Sequence, residues 1–278
     1  MISLLTDPLS HAFMVRALMI SALVGGVCGL LSCYMSLKGW ALMGDAVSHA
    51  VLPGVIVAYA LGLPFSIGAF VFGVGSVAMI GFVKQKSRVK EDTVIGLVST
   101  GFFALGLVLV SKIRSNIDLM HILFGNVLGI SSSDIFQTVL ISSLIVSVLL
   151  IFRRDLLLFC FDPTHARSIG INTGALHYLL LSALSLAAVA GLQTVGVILV
   201  VAMLVTPGAT AYLLTDRFDR MTWIAIASSV LSSLLGVYIS YWTDSSTAGC
   251  IVLVQTGLFI LAFLFSPNYG LVRRLVRS

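Results

Sequence analysis

The 278-residue chain is dominated by apolar runs that follow one another with little polar sequence between them. Hydrophobic residues make up 59% of it and charged residues only 10%, whereas a soluble domain carries about 25% charged residues. Many runs approach the length of about 20 residues that a helix needs to cross a bilayer. In lipid, only helices and closed barrels satisfy all backbone polar groups, and these runs are too long and too uniformly apolar for barrel strands. The sequence therefore predicts an all-α, polytopic membrane protein.

The apolar runs define nine candidate spans, so we expect about eight or nine transmembrane helices. A further apolar segment at 117–131 is short and rich in glycine and serine, which favours a half helix over a full crossing. No long polar segment remains for a soluble domain, and residues 1–278 are expected to form a single transmembrane domain. The candidate spans are about 12–37, 40–62, 64–84, 91–112, 133–152, 174–191, 193–214, 219–241 and 245–265.

Basic residues predict how the chain is oriented in the membrane. They form four clusters, and nine crossings place all four on one side, which the positive-inside rule makes the cytoplasmic side. Lys112 and Arg114 are the exception, and counting 117–131 as a crossing would place the last three clusters opposite the first. The net charge of +5 is therefore assigned to cytoplasmic loops, not to nucleic-acid binding. The clusters are Lys84–Lys90, Arg153–Arg167, Arg217–Arg220 and Arg273–Arg277.

One carboxylate and one imidazole, those of Asp45 and His49, interrupt the apolar run over 40–62. Their spacing of four residues puts them on one face of a helix. A carboxylate at the centre of a membrane helix costs about 2.5–3.5 kcal/mol, so it requires compensation. The pair could hold a divalent cation, since carboxylates suit manganese and imidazole suits zinc and iron, or it could be a salt bridge that locks two helices together. Pro53 and Gly54 favour the cation, because broken helices at membrane depth usually line a cavity.

The longest polar stretch inside the chain runs from Arg153 to Thr173. Within it, Asp162 is predicted as a helix N-cap and Pro163 as the first helical residue. Gly170 is expected to end this helix after about two turns. A short capped helix at the membrane surface indicates a place where another protein docks, and a plain connecting loop is the alternative.

The segment Met-Gly-Asp-Ala-Val-Ser-His-Ala-Val-Leu-Pro-Gly at 43–54 resembles the signature of the membrane permease subunits of manganese/zinc/iron ABC importers. Further elements match this family in order and at similar spacing along most of the chain. They are Lys90–Thr93, His121–Asn126, Phe161-Asp162-Pro163 with Ala166 and Gly170, Val195–Val200, Thr206–Ala211 and Ser246–Gly249.

The resemblance implies a type II ABC importer permease in the bacterial plasma (inner) membrane. Two permease subunits, identical or paralogous, would surround a pathway, an extracytoplasmic binding protein would deliver the metal, and two ATPase subunits would drive transport. Asp45 and His49 match the positions that hold the transported metal. Asp162, Pro163, Ala166 and Gly170 match the coupling helix that docks on the ATPase, where a bulky residue at Ala166 is expected to block docking. The sequence is more similar to the manganese and iron branch, with zinc a further candidate.

The sequence contains no G-x-x-x-x-G-K-[ST] motif, so we expect ATP to be hydrolysed by a separate subunit. We accordingly expect no enzyme activity and no bound cofactor in this chain. The principal alternative is a secondary transporter or channel that uses Asp45 and His49 as a proton or ion relay. An intramembrane enzyme would need a second acid or nucleophile converging on this pair, and the spans offer no clear one.

Overall fold

A computed structural model of the chain describes residues 10–112, 132–266 and 270, and every regular element within them is a helix. We number the helices in chain order. The predicted half helix at 117–131 lies outside the described residues. The helices are α1 (Ala12–Lys38), α2 (Ala41–Ala60), α3 (Phe65–Lys86), α4 (Glu91–Lys112), α5 (Ser132–Ile151), α6 (Arg153–Phe161), α7 (Pro163–Ser168), α8 (Thr173–Thr194), α9 (Val197–Leu214), α10 (Phe218–Thr243) and α11 (Thr247–Phe265).

Eight helices, α1 to α5, α8, α10 and α11, are long and apolar enough to cross a membrane. The shorter α9 has an apolar stretch over Ile198–Leu214 and corresponds to the remaining predicted span. The all-α, multi-pass fold class is therefore confirmed. The break between α8 and α9 lies at Val195–Gly196, slightly later than predicted, because Gly196 takes a φ of +87°, a conformation that glycine adopts readily.

The helices pack in two groups, which are joined by α8 and by a direct contact between α2 and α9. α1 contacts α9 and α10, and α11 covers α9 and α10 on the other side, whereas α2 is held between α3 and α4. α8 contacts α1, α2, α3, α5 and α9. The spans of α1, α2 and α8 are accordingly the most buried, and those of α3, α4, α5 and α11 are largely exposed on the surface of the chain.

Glycines allow the closest of these contacts. A Cβ atom at Gly29 of α1 would lie 2.9 Å from the carbonyl oxygen of Ala225 in α10, and one at Gly54 of α2 would lie 2.3 Å from the carbonyl oxygen of Gly68 in α3. Small residues are typical of helix interfaces in membranes, where close backbone approach and the dispersion it permits replace the hydrophobic driving force.

Three of the four basic clusters meet at one end of the helices. Lys84 and Arg167 line the same cavity, and Arg153 forms an ion pair with Asp219, which lies in sequence between Arg217 and Arg220. The fourth cluster is outside the described residues. The positive-inside rule makes this end cytoplasmic, in agreement with the orientation predicted from nine crossings.

One expectation about local structure is wrong. α2 is not broken at Pro53 but continues as one helix to Ala60, and Gly54 allows its close contact with α3. A helix that the sequence did not predict, α6, occupies Arg153–Phe161 at the start of the polar stretch. Leu156, Phe159 and Cys160 are its buried residues, and their spacing of three and four places them on one helical face.

Candidate metal pathway and coupling helix

Asp45 and His49 lie one turn apart on α2, as their spacing predicts. The distance from Asp45 Oδ1 to His49 Nε2 is 3.2 Å. At a rise of about 1.5 Å per residue, Asp45 is about 6 Å and His49 about 12 Å from the beginning of α2 at Ala41. Because α2 begins at the cytoplasmic end, the pair lies in the cytoplasmic half of its span.

The pair lies on the one open strip of a buried helix. The His49 side chain is 34% exposed and the Asp45 side chain 44% exposed, and Leu42, three residues before Asp45, is 48% exposed. The residues between them are buried. Both members belong to α2, so their contact does not tie two helices together, and the salt-bridge interpretation loses its structural purpose.

His49 also contacts an aromatic ring. The ring of Phe103 in α4 packs edge-on against the imidazole, with 4.9 Å between the ring centroids. This packing follows from the close approach of α4 to α2, where Gly106 lies beside Leu52 and Pro53. No pattern in the sequence pointed to Phe103, since an apolar residue in an apolar span could face any neighbour.

The pair provides two ligand side chains of different chemistry. The described residues contain no group of three or more His, Cys, Asp and Glu side chains that could hold an ion. Asp118 and His121, whose spacing of three residues could also place them on one face of a helix, lie outside the described residues. A two-ligand arrangement binds a cation weakly unless other groups complete its coordination shell, which suits passage more than storage.

The second predicted site, on α7, has the local structure that its sequence predicts. Asp162 Oδ1 accepts hydrogen bonds from the backbone N–H groups of Thr164 and His165, each at 2.9 Å, and Pro163 is the first helical residue. The helix ends at Ser168, and Gly170 follows with a φ of +88°. The Asp162 cap and the terminating Gly170 are thus confirmed as structural features.

Ala166 differs from its expected place on a docking surface. It is completely buried, so it packs within this chain and cannot itself touch a partner. The outward surface of α7 consists of other residues, which are exposed: Thr164, His165, Arg167 and Ser168. Ala166 therefore holds α7 in place, and a bulky substitution there would displace the helix instead of blocking its outer face.

α6 anchors this region to α1. Lys38 Nζ donates a hydrogen bond of 3.0 Å to the carbonyl oxygen of Phe159 and lies 3.7 Å from the centroid of the Phe159 ring. Burial raises the pKa of the neighbouring Cys160 thiol to about 11, although the Lys38 cation lowers it. The thiol stays protonated at neutral pH, as expected of a structural cysteine.

The chain matches a known family of transport proteins. A family model described as the ABC 3 transport family matches residues 10–266. The chain belongs to this family. The permease resembles the manganese transport system membrane protein MntB of Synechocystis, with 60% identity over 96% of this chain and 88% of that protein. It also resembles the chelated iron transport system membrane protein YfeD of Yersinia pestis, with 49% identity over 95% of this chain and 89% of the relative.

A solved structure agrees with this assignment. PsaBC from Streptococcus pneumoniae, determined in complex with a Fab, matches with a TM-score of 0.90 and 39% identity, over 99% of this chain and 100% of that one. The permease is therefore the membrane component of an ABC transport system and a multi-pass protein of the bacterial inner membrane. This finding rejects the main alternative from the sequence, a secondary transporter or channel.

Proposed function

We propose that the permease imports a divalent transition metal, Mn²⁺ or Fe²⁺ with Zn²⁺ as a competitor, and that Asp45 and His49 hold the ion in transit. The observation that carries this proposal is a partly exposed carboxylate–imidazole pair, 3.2 Å apart, on an otherwise buried apolar helix. Carboxylate oxygen and imidazole nitrogen together suit these ions. The names of the manganese and iron relatives support the same choice.

The open strip of α2 explains how two ligands can suffice. We place a second permease subunit, identical or paralogous, opposite Leu42, Asp45 and His49, so that its own pair or water completes the coordination shell. An ion in a pathway must bind well enough to enter and weakly enough to leave. The apolar side chains around the pair lower the local dielectric, which strengthens the attraction between the carboxylate and the cation.

The energy for import comes, in this proposal, from separate ATPase subunits that dock at α7, while an extracytoplasmic binding protein delivers the metal. The permease itself has no catalytic role, and all 278 residues act as one transmembrane domain. The Asp162 cap, Pro163 and Gly170 fix the shape of α7, and the buried Ala166 attaches it to the rest of the chain. Motion at the exposed face of α7 would then reach α1 through α6 and Lys38.

Uptake of radioactive manganese by cells expressing Asp45→Asn or His49→Ala tests the metal site. Changes near a metal commonly reduce affinity by about 10–100-fold, so we expect uptake to fall at least about tenfold while membrane expression is unchanged. Leu97→Ala, at a position of α4 that is 72% exposed and outside this strip, removes no ligand and is the control. The double variant Asp45→Asn/His49→Gln keeps a hydrogen-bonding pair without the charge, and wild-type uptake by it would reject the metal-site proposal.

A further inference from the structure

A cavity of about 340 Å³ opens at the cytoplasmic end of the permease, apart from the Asp45–His49 pair. It lies where the end of α1, the beginning of α2 and the end of α3 meet α6, α7 and the beginning of α8. Its volume falls within the range of about 300–1,000 Å³ that is typical of small-ligand sites. Transport by the Asp45–His49 pair gives it no role.

The rim of this cavity is strongly basic. Lys38, Lys84, Arg167 and His177 line it, and none of the described residues that line it is an aspartate or a glutamate. Arg167 Nε donates a hydrogen bond of 2.8 Å to Thr173 Oγ1, which orients the guanidinium, and Lys38 is held by Phe159. The two terminal nitrogens of an arginine match phosphate oxygens side by side.

The inner wall of the cavity is apolar and lies at membrane depth. Val77 and Ile80 of α3 are each 2% exposed, and Met43 of α2 is 1% exposed. Val77 and Ile80 belong to the apolar part of α3 that can span the membrane, which ends at Lys84. The cavity thus has an apolar part within the bilayer and a cationic part at its cytoplasmic surface.

We propose that this cavity binds an anionic phospholipid of the cytoplasmic leaflet, with its phosphate at Lys38, Lys84 and Arg167 and the beginning of its acyl chains against the apolar wall. Basic pockets between transmembrane helices on the cytoplasmic side are suited to lipid headgroups. A carboxylate from a partner protein would match the rim but would leave the apolar wall uncovered. A free phosphate would also leave the apolar wall uncovered.

Gly81 gives the lipid a route into the cavity. It lines the cavity, and a Cβ atom added there would meet no atom within 4 Å. On the α3 helix it is adjacent to the exposed Ala78 and to Phe82, whose exposed fraction is 65%. The cavity therefore borders the surface of α3 that faces lipid, and its bound molecule can exchange with the bilayer.

Native mass spectrometry of the purified transporter, loaded with phosphatidylglycerol or phosphatidylcholine, tests the headgroup. We expect phosphatidylglycerol to be retained preferentially, and each of Lys84→Gln and Arg167→Gln to lower its retention about fivefold, the effect of one cation near an anionic surface. Lys86→Gln and Arg88→Gln remove nearby exposed charges outside the cavity and should retain the lipid. Equal losses of lipid from the two cavity variants and the two control variants would overturn the proposal. Equal retention of phosphatidylglycerol and phosphatidylcholine would also overturn it.

Filling the cavity tests its location without changing any charge. Gly81→Leu should reduce retention of phosphatidylglycerol, whereas Gly75→Leu, also with open space around its Cβ atom but outside the cavity, should not. Displacement of the lipid by millimolar inorganic phosphate would identify a free-phosphate site instead. Loss of the ATPase subunits from the Lys84→Gln and Arg167→Gln variants, with lipid retention unchanged, would identify a protein contact. Either result contradicts the lipid assignment.

Discussion

At the scale of single residues, burial determines which side chains of α2 can meet an ion. Most of α2 is covered by neighbouring helices, and the Asp45 and His49 side chains stay 44% and 34% exposed. The sequence was sufficient to predict that Asp45 and His49 share a face, because helical spacing alone determines it. It was not sufficient to predict the contact of Phe103 with His49 or the burial of Ala166. Both depend on how distant helices pack, and a uniformly apolar span contains no pattern that selects one neighbour over another.

Gly54 provides a prediction at the same scale. A Cβ atom there would lie 2.3 Å from the Gly68 carbonyl oxygen, so Gly54→Ala must push α2 away from α3. Overpacking of this kind destabilises by about 1–3 kcal/mol, and we expect a lower melting temperature in detergent. Gly101→Ala of α4 is the control, because its Cβ atom meets nothing within 4 Å and alanine favours a helix. Equal melting temperatures for both variants would contradict the close α2–α3 contact.

At the scale of helices, length and hydropathy were enough to locate the spans, and capping residues were enough to locate α7. α6 was missed because Arg153, Arg154 and Asp155 give its start the composition of a loop. The signal was nevertheless present, since the buried Leu156, Phe159 and Cys160 recur at helical spacing. Pro53 misled in the other direction, because a helix surrounded by other helices can tolerate an internal proline in a membrane.

The Asp162 cap allows a prediction for α7. Asp162→Ala removes the acceptor of two backbone hydrogen bonds and should destabilise α7 by about 0.5–2 kcal/mol. We expect reduced uptake and weaker co-purification of the ATPase subunits, with normal membrane expression. Asp162→Asn keeps a capping oxygen and should behave like the wild type. Equal loss with Asn and Ala would show that the negative charge, and not the cap, is required.

Ala166 allows a separate prediction about the same helix. Because it is 0% exposed, Ala166→Trp must displace α7 from the chain, and we expect co-purification of the ATPase subunits and uptake to fall together. Thr164→Trp, at an exposed position on α7, tests the outer face directly. If only Thr164→Trp impaired association, the outer face alone would matter and the anchoring role of Ala166 would be wrong.

At the scale of the whole molecule, the orientation follows from charges that are far apart in sequence. Lys84 and Arg167 reach one cavity, and Lys38 connects α1 to α6 at the same end. The sequence predicted that these clusters share one side, although the count of crossings depended on treating 117–131 as a half helix, and the cytoplasmic assignment of that side stays a prediction. The placement of these residues at one end does not depend on that segment, because helices before it pack directly on helices after it.

This orientation can be tested with one native and one introduced cysteine. Cys28, Cys33 and Cys160 are buried, and Cys250 is partly exposed at the beginning of α11, the end away from the basic clusters. Cys250 of the wild type should therefore react with an impermeant maleimide added to spheroplasts. Val89→Cys, at a position 44% exposed between Arg88 and Lys90, should react only in inverted vesicles when Cys250 is replaced by serine. Because this substitution keeps every basic residue of the loop, the positive-inside bias is unchanged, and labelling of Val89→Cys in spheroplasts would overturn the nine-crossing orientation.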